Sequence, residues 1–424
     1  MESTWNHALR IAAPKLFGLN VRKFFKFGPA LAGLYIAVAV PVYGQSLALT
    51  EALSRAEKTS ASIVEAQAGV SAARARAFQA GALPNPELQV TIENLAGTGP
   101  FRGVSGAELT VGVAQRFERG GKSSARRAVA ASELEVAELR LLVARADLGL
   151  RVRETYADLA AAEDRLALSS RNAGLATRLA AVAQALVSAG RDPPLRSLRA
   201  RSAATQAEAA RLGAQVAVDS ARRALTSIIG APTLVLTLAG GGDAPPPSGR
   251  EGTGDALDVR IALAALHVAQ ARVQLENTVG VSDVTGQVGV RRLNETRDTA
   301  LVVGFAMPLA IRDRNRGGVA ASRAEVQAAE ARLKQARIDA TRALLDARSR
   351  ASAAETQVVA LQISAIFEAR EAVRLAELGY RAGKFGIVDV LDAQRALNDA
   401  ENALVDARLA RSRAQAALAR AMVR

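Results

Sequence analysis

The sequence predicts a mainly helical protein with a smaller β component: a long helical, coiled-coil duct joined to a transmembrane β-barrel that several copies of the chain build together. Three observations favour this class. Only 4% of the residues are aromatic, and alanine, leucine and arginine recur with helical spacing over unusually long stretches. Two pairs of segments alternate apolar and polar residues over about ten positions, as membrane-crossing strands do. The same order of elements occurs twice.

The charge and the cysteine content narrow the function classes. The 424 residues carry a formal net charge of +14 and include no cysteine, which excludes a disulfide framework and thiolate chemistry. A basic chain is one mark of nucleic-acid binding. Here, however, basic and acidic residues are interleaved along helical segments, as in Arg145, Asp147, Arg151, Arg153 and Glu154. That pattern is typical of a solvated helix face, so we expect no nucleic acid partner.

Residues 1–44 read as a signal peptide. Basic residues precede an apolar run at residues 28–42, and small residues lead to a predicted cleavage site before Gln45. The alternative is an uncleaved anchor, but the run is about fifteen residues, short of the roughly twenty that span a bilayer. We therefore expect export of the mature chain. The basic residues are Arg10, Lys15, Arg22, Lys23 and Lys26.

The first structural repeat is predicted over residues 45–238. Thr50 is the expected N-cap of its first helix. A hairpin of two alternating strands follows, then a very long helix that ends at the Gly190 turn, then a further helix for which Asp192 is the expected N-cap. The predicted ranges are 50–80 for the first helix, 87–94 and 108–117 for the strands, 123–189 for the long helix and 193–229 for the last.

A low-complexity linker, residues 239–254, separates this part from a second repeat at 255–424, in which the order recurs. Helix 255–277 leads to strands 282–291 and 301–309, then to helix 317–381, the Gly383 turn and a final helix. Single residues can be matched between the halves. The offset is 192 for Glu133 with Glu325, Glu138 with Glu330, Arg140 with Arg332 and Leu141 with Leu333, and 193 for Gly190 with Gly383 and Leu225 with Leu418.

These elements require several copies of the chain to assemble. Four strands with one apolar face cannot close a barrel alone, and open strand edges are not tolerated in lipid. Helices of about sixty-five residues, roughly 100 Å long, do not fold back into a globule and must pack side by side. Copies of the chain must therefore pool their hairpins, with the outer-membrane lipid around the strands.

The stretch from Gly379 to Glu401 contains the candidate site. It predicts the end of one helix, a tight turn at Gly383 and the start of another helix. Asp389 and Asp392 are three residues apart and share one helix face. Two interpretations remain open at this point. The pair can be ordinary helix-capping and dipole chemistry, or it can be functional.

Rival sites are weak. Gly120-Gly121-Lys122-Ser123 resembles a phosphate-binding loop, but the pattern requires glycine at position 116, where Arg116 stands. His267 is the one histidine after residue 44, and with no cysteine it predicts no zinc or copper site. No nucleophile and base are arranged for hydrolysis. We therefore expect no enzymatic activity, no cofactor and no metal site.

Over residues 46–424 the chain resembles the TolC family of outer-membrane efflux channels. The most specific match is the segment with Gly379-Tyr380, Gly383 and Ile387-Val388-Asp389-Val390-Leu391-Asp392-Ala393, which is similar to the family's entrance-gating turn. Asn85-Pro86 and Asp313-Arg314-Asn315 resemble the heavy-metal (cobalt–zinc–cadmium) branch.

The resemblance implies a homotrimer with a twelve-stranded barrel in the outer membrane and a helical duct across the periplasm, docked to an inner-membrane pump through a periplasmic adaptor. It implies that Asp389 and Asp392 form acidic rings at the entrance, that Tyr380 helps to hold the entrance shut, and that Gly190 and Gly383 lie in the turns at the periplasmic tip. Phe385 stands where the family's basic gate residue is expected.

The resemblance also implies a passive export duct, here for divalent heavy-metal cations. Two other functions remain alternatives: a TolC-like channel for drugs or secreted proteins, and an elongated coiled-coil adaptor or structural protein of the envelope. The alternating hairpins distinguish the channels from the adaptor, because an adaptor needs no lipid-facing strands.

Overall fold

The computed structural model describes residues 45–231, 236–238 and 255–424. The predicted signal peptide at 1–44 and the linker at 239–254 lie outside these residues. The helices are α1 Leu49–Thr59, α2 Ala61–Ala80, α3 Lys122–Ser188, α4 Pro194–Ile228, α5 Leu257–Val279, α6 Arg316–Ala360, α7 Ile366–Arg381 and α8 Ile387–Ala421. The strands are β1 Gln45–Leu47, β2 Glu87–Glu93, β3 Glu108–Phe117, β4 Leu236–Leu238, β5 Val284–Leu293 and β6 Thr299–Ala306.

The two predicted hairpins form one antiparallel sheet with the strand order β2-β3-β5-β6. The hairpins are joined through β3 and β5, whose register pairs Val111 with Val290. Strands β2 and β6 are the two edges of this sheet. The short parallel pair of β1 with β4, in which Leu47 faces Leu238, was not predicted.

The prediction for the first helix was wrong in two respects. Its N-cap is Ala48 and not Thr50, and the helix is broken at Ser60, whose ψ of 122° is extended. The N-cap of α4 is likewise Pro193 and not Asp192. A proline at N-cap and another at the first helical position fix φ near the value that a helix requires, so α4 starts without a side-chain cap.

The long second-half helix is interrupted by a π-turn at Leu361–Ala365, whereas α3 runs unbroken for 67 residues. A π-turn holds one residue more than an α-helix of the same length. The offset between matched residues rises from 192 at Leu333 to 193 at Gly383, on either side of this turn. The π-turn therefore accommodates the additional residue of the second half.

The main core surrounds the start of the described chain. Leu47, Ile63 and Leu159 are almost fully buried, and the Tyr156 hydroxyl donates a hydrogen bond of 3.0 Å to the Leu47 carbonyl oxygen. Polar contacts then join α3 to α8. They are Arg420 with Asp147, Arg413 with Asp158, Arg165 with Asp406 and Asn172 with Asn398. From Asp158 to Asn172 and from Arg413 to Asn398 the spacing is seven or eight residues, as in coiled-coil packing between antiparallel helices.

Candidate functional site

Two turns with the same backbone conformation form the tip of the helical part. One joins α3 to α4, and the other joins α7 to α8. Gly190 and Gly383 both have a φ of 71°. The Arg191 amide donates to the Leu186 carbonyl at 2.9 Å, and the Lys384 amide donates to the Gly379 carbonyl at 2.8 Å. These are Schellman motifs, in which glycine adopts the left-handed conformation after the last helical turn.

The start of α8 places the two predicted aspartates. The Asp389 carboxylate accepts a hydrogen bond of 2.7 Å from the Gly386 amide, so it caps the helix. Asp392 lies one turn further along and forms an ion pair of 3.5 Å with Arg395, with 62% of the Asp392 side chain exposed. Capping thus describes Asp389 in the single chain, while both carboxylates remain at the surface.

Tyr380 lies between the α3–α4 helix pair and the α7–α8 helix pair. Its ring packs against a cluster that contains Ala183 of α3, Ala200 of α4 and the fully buried Ile387 of α8. The tyrosine hydroxyl is buried and has no hydrogen-bond partner among the residues that the structure describes. Burial raises the pKa of Tyr380, and the negative charge of Asp192 raises it further, opposed by the positive charge of Arg196.

Asp192 is a site residue that the sequence did not identify as such. It forms an ion pair with Arg196, and only 9% of its side chain is exposed. One of its carboxylate oxygens, Oδ2, is buried without a hydrogen-bond partner, as is the Tyr380 hydroxyl. The fold thus brings a phenol, a carboxylate and a guanidinium together from α7, from the Gly190 turn and from α4.

Phe385, which stands where a basic gate residue was expected, packs on Gly379. A Cβ atom at Gly379 would lie 2.1 Å from Cδ2 of the Phe385 ring. The glycine is therefore required by space, since any side chain would displace the ring. The positive charge near Tyr380 comes instead from Arg196 of α4.

The sheet has one apolar face that no described segment of the single chain covers. Val90, Val111, Val290 and Leu301 are successive cross-strand partners. The adjacent row consists of Leu88, Val113, Val288 and Val303. Each of these side chains is at least 42% exposed, and Phe305 is 84% exposed. A contiguous apolar surface of this kind marks contact with a membrane or another protein.

The opposite face of the sheet is polar. Arg291 of β5 forms ion pairs of 2.8 Å with Glu93 and with Glu108 and a hydrogen bond of 3.0 Å with Thr110. The strands thus separate an apolar face from a charged, hydrogen-bonded one. This division is the one that a strand requires between lipid and water.

Next to the sheet, helices α2, α3, α5 and α6 line a groove of 1240 Å³. Its lining is alanine-rich and carries arginines and carboxylates. Each lining residue of α2 has a counterpart on α5 at an offset of 196: Ser62 with Asp258, Glu65 with Ile261, Ala66 with Ala262, Gly69 with Ala265, Ala73 with Ala269 and Arg76 with Arg272. Each lining residue of α6 likewise has a counterpart on α3 at an offset of 192, including Glu325 with Glu133 and Arg332 with Arg140.

The described ranges contain neither a candidate metal site nor a candidate membrane-spanning helix. Among residues 45–231, 236–238 and 255–424, no group of three histidine, cysteine or acidic side chains is arranged to hold a metal ion. Over the same ranges, no helix is both long enough and apolar enough to cross a membrane.

Known proteins resemble the chain over most of its length. The family model described as outer membrane efflux protein matches residues 52–231 and 254–423. The cobalt-zinc-cadmium resistance protein CzcC of Cupriavidus metallidurans is 31% identical over 369 residues, 84% of this chain and 86% of that protein. The nickel-cobalt-cadmium resistance protein NccC of Alcaligenes xylosoxydans xylosoxydans is 35% identical over 358 residues, 84% of this chain and 81% of that protein.

The fold is likewise similar to that of a solved outer membrane protein. The outer membrane protein VceC of Vibrio cholerae superposes with a TM-score of 0.73 at 22% identity, and the match covers 88% of this chain and 95% of that one. The family model and the two resistance proteins confirm the predicted family resemblance.

Proposed function

This chain belongs to the outer membrane efflux protein family, and from that premise we propose that it is the outer-membrane duct of a tripartite system that exports divalent heavy-metal cations. The observation that carries the proposal is the pair of elements on one chain: a sheet with a bare apolar face and long helices that end in an acidic tip. The duct extends into the periplasm, where an adaptor and an inner-membrane pump engage it. Energy and cargo selection come from the pump, and transport through the duct is passive.

The working form is a homotrimer. Two open edges, β2 and β6, favour joining one sheet to the next, so that three chains close a barrel of twelve strands with the apolar rows toward lipid. Exposed apolar side chains on the helices support the same assembly. Leu212 and Val216 of α4 are more than half exposed, as are Ile363 of the π-turn and Phe367 of α7.

The chain is built from two structural repeats, residues 45–238 and 255–424, joined by the linker at 239–254 and preceded by a signal peptide at 1–44. The matched offsets of the groove-lining residues support this division. So does the shared backbone of the two tip turns. Each repeat supplies one hairpin to the barrel and one helical pair to the duct.

The tip is the channel entrance. Around a three-fold axis, Asp389 and Asp392 each become a ring of three carboxylates, which attract cations and repel one another. Capping by Asp389 uses one carboxylate oxygen, Oδ2, and leaves the other for the ring. Tyr380, packed between α3 and α4, ties the α7–α8 pair to the α3–α4 pair in the closed state, next to Asp192 and Arg196.

The proposed cargo follows from the relatives. CzcC is named for cobalt, zinc and cadmium resistance and NccC for nickel, cobalt and cadmium resistance. An acidic mouth suits such ions without holding them, because carboxylates that lack histidine or cysteine partners bind them weakly. Drug export by the same duct is the competing assignment.

Deleting the gene in its host tests the cargo. We expect the deletion strain to lose growth in cobalt, zinc or cadmium salts and to keep its resistance to hydrophobic drugs. Complementation with the intact gene should restore metal growth. Sensitivity to drugs alone would reject the metal assignment and favour the drug channel.

A further inference from the structure

Two charged side chains lie at opposite ends of the helical groove without a partner. Arg76 is on α2 and Glu325 is on α6, the first and last helices of the row, and both are exposed. Neither side chain forms a hydrogen bond or an ion pair within the described part of the chain. A single unpaired surface charge is ordinary. These two differ because of what their counterparts do.

The counterparts of Arg76 and Glu325 are paired with each other. At the offset of 196, Arg76 corresponds to Arg272 of α5, and at the offset of 192, Glu325 corresponds to Glu133 of α3. Arg272 donates a hydrogen bond of 2.9 Å to Glu133, across the junction where α3 packs on α5. An arginine and a glutamate are thus paired at the internal junction between α3 and α5. The equivalent arginine and glutamate are far apart, one on each of the outer helices α2 and α6, which are the rims of the groove.

The order of the strands and helices indicates which helix of a neighbouring copy would contact each outer helix of the row. The strands follow the order β2-β3-β5-β6, and the helices attached to them follow the order α2, α3, α5, α6. The internal junction joins the second element of the row to the third. If the row continues into a ring, α6 of one copy meets α2 of the next, and this contact repeats the junction of α3 with α5.

We propose that Arg76 of one copy forms an ion pair with Glu325 of the neighbouring copy, which reproduces between copies the contact of Arg272 with Glu133 inside the chain. The inference rests on the proposed trimer. It specifies the register of the helical seam, the contact between α6 of one copy and α2 of the next. The pair sets the height at which α6 and α2 meet, because opposite charges fix a register while like charges exclude the alternatives.

The apolar part of the seam is consistent with this contact. At the internal junction, Val136 and Leu139 of α3 pack on Ala264 of α5. The corresponding residues at the rims are Ala328, Ala331 and Ala68. Alanines allow closer approach of the helices and supply little shape to define a register. The charged pair is therefore the element of this seam that discriminates between registers.

Cross-linking tests the contact directly, because the chain has no cysteine of its own. The double variant Arg76→Cys, Glu325→Cys is expressed in full length, extracted in mild detergent and treated with a short bismaleimide. We expect covalent dimers and trimers on a denaturing gel, and none from either single variant. The matched control is Glu133→Cys, Arg272→Cys, whose cross-link lies within one chain. Mass spectrometry of the digested monomer should find the cross-linked peptides, and the gel should show no dimers or trimers.

The outcomes separate the contact from the assembly. A trimer by native mass spectrometry, with the control pair bridged and no ladder from Arg76→Cys, Glu325→Cys, overturns the proposed seam and leaves the trimer standing. A protein that is monomeric by native mass spectrometry overturns both. As a second measurement, Arg76→Glu should weaken the trimer, and the charge exchange Arg76→Glu, Glu325→Arg should restore it.

Discussion

The two turns at the tip share a backbone and differ in almost every side chain that matters. Both close with a Schellman glycine, Gly190 and Gly383, of identical φ. At the third position of the following helix, the first turn has Arg196 and the second has Asp389. An anion suits a helix N-terminus and a cation does not. Arg196 is tolerated because it is paired with the buried Asp192.

We infer that the two turns serve different roles on one scaffold. The first-half turn directs its carboxylate inward, against Arg196 and near the Tyr380 ring. The second-half turn presents Asp389 and Asp392 at the surface and sends Tyr380 toward the other hairpin. Among the described residues, only the second half contains a π-turn, which takes up its one additional residue.

Deleting Gly174 from α3 should give the largest effect, because α3 is an unbroken α-helix. Each residue of an α-helix turns the chain by about 100°, so the deletion rotates the end of α3 and moves Ala183 away from Tyr380. We expect a leaky entrance, measured as higher sensitivity of cells to a large antibiotic that the outer membrane excludes.

Deletion of Ile363 is the matched control, since the π-turn already holds one residue more than an α-helix of the same length. Losing that residue leaves α6 and α7 as one α-helix of unchanged phase. Both variants are compared at equal amounts of protein in the outer membrane. A Gly174 deletion that excludes the antibiotic as well as the Ile363 deletion does would show that helix phase does not hold the tip closed.

Asp192→Ala should destabilise α4 more than Asp389→Ala destabilises α8. The first change leaves Arg196 unpaired at a helix N-terminus and costs about 2 kcal/mol, less than a fully buried pair because Arg196 is 42% exposed. The second removes one cap and costs about 1 kcal/mol. Hydrogen exchange of the first-turn amides of each helix measures both. Equal protection losses would contradict the contrast between the turns.

Gly190→Ala and Gly383→Ala should have the same, smaller effect. Each places a side chain at a φ of 71°, with nothing within 4 Å of the new Cβ atom. The cost is therefore the left-handed backbone alone, about 1 kcal/mol per chain. Hydrogen exchange at the two turns checks the equality, and a clearly larger loss at either glycine would indicate a contact that the backbone argument omits.

Titration of Tyr380 should give the smallest effect. Burial and the charge of Asp192 raise the pKa of Tyr380, so the folded tip favours the neutral phenol. Its contribution to stability is complete below the ordinary tyrosine pKa of about 10 and is lost as the pH rises through the raised pKa. The tyrosinate absorbance difference between the protein and Tyr380→Phe isolates this group. Titration at or below the ordinary value would contradict the burial of the hydroxyl.

Much of the fold was predictable because local patterns determine it. Strands β2 and β3 alternate cleanly, and α3 carries an uninterrupted helical pattern, so their ranges were confirmed within a residue or two. The break at Ser60 was missed because apolar spacing continues through it, although Ser60 and Ser62 are typical of a helix start. The β1–β4 pair was missed because three residues are too few for a pattern.

The remaining parts of the site depend on contacts that are distant in sequence. Asp192 and Tyr380 lie in different halves of the chain, and no spacing rule connects them. The π-turn did leave a signal, since the offset between the halves changes by one residue before Gly383. That step indicates an insertion, but periodicity alone does not distinguish a π-turn from a loop.

We propose that the second-half turn, unlike the first, forms an acidic, cation-selective mouth. The most direct test is recording of single channels in a planar bilayer under a salt gradient. The wild-type trimer should be cation-selective and blocked by multivalent cations from the periplasmic side. The variant Asp389→Asn, Asp392→Asn should lose the block and much of the selectivity while remaining a trimer. An intact variant trimer with unchanged reversal potential and unchanged block would contradict the acidic mouth.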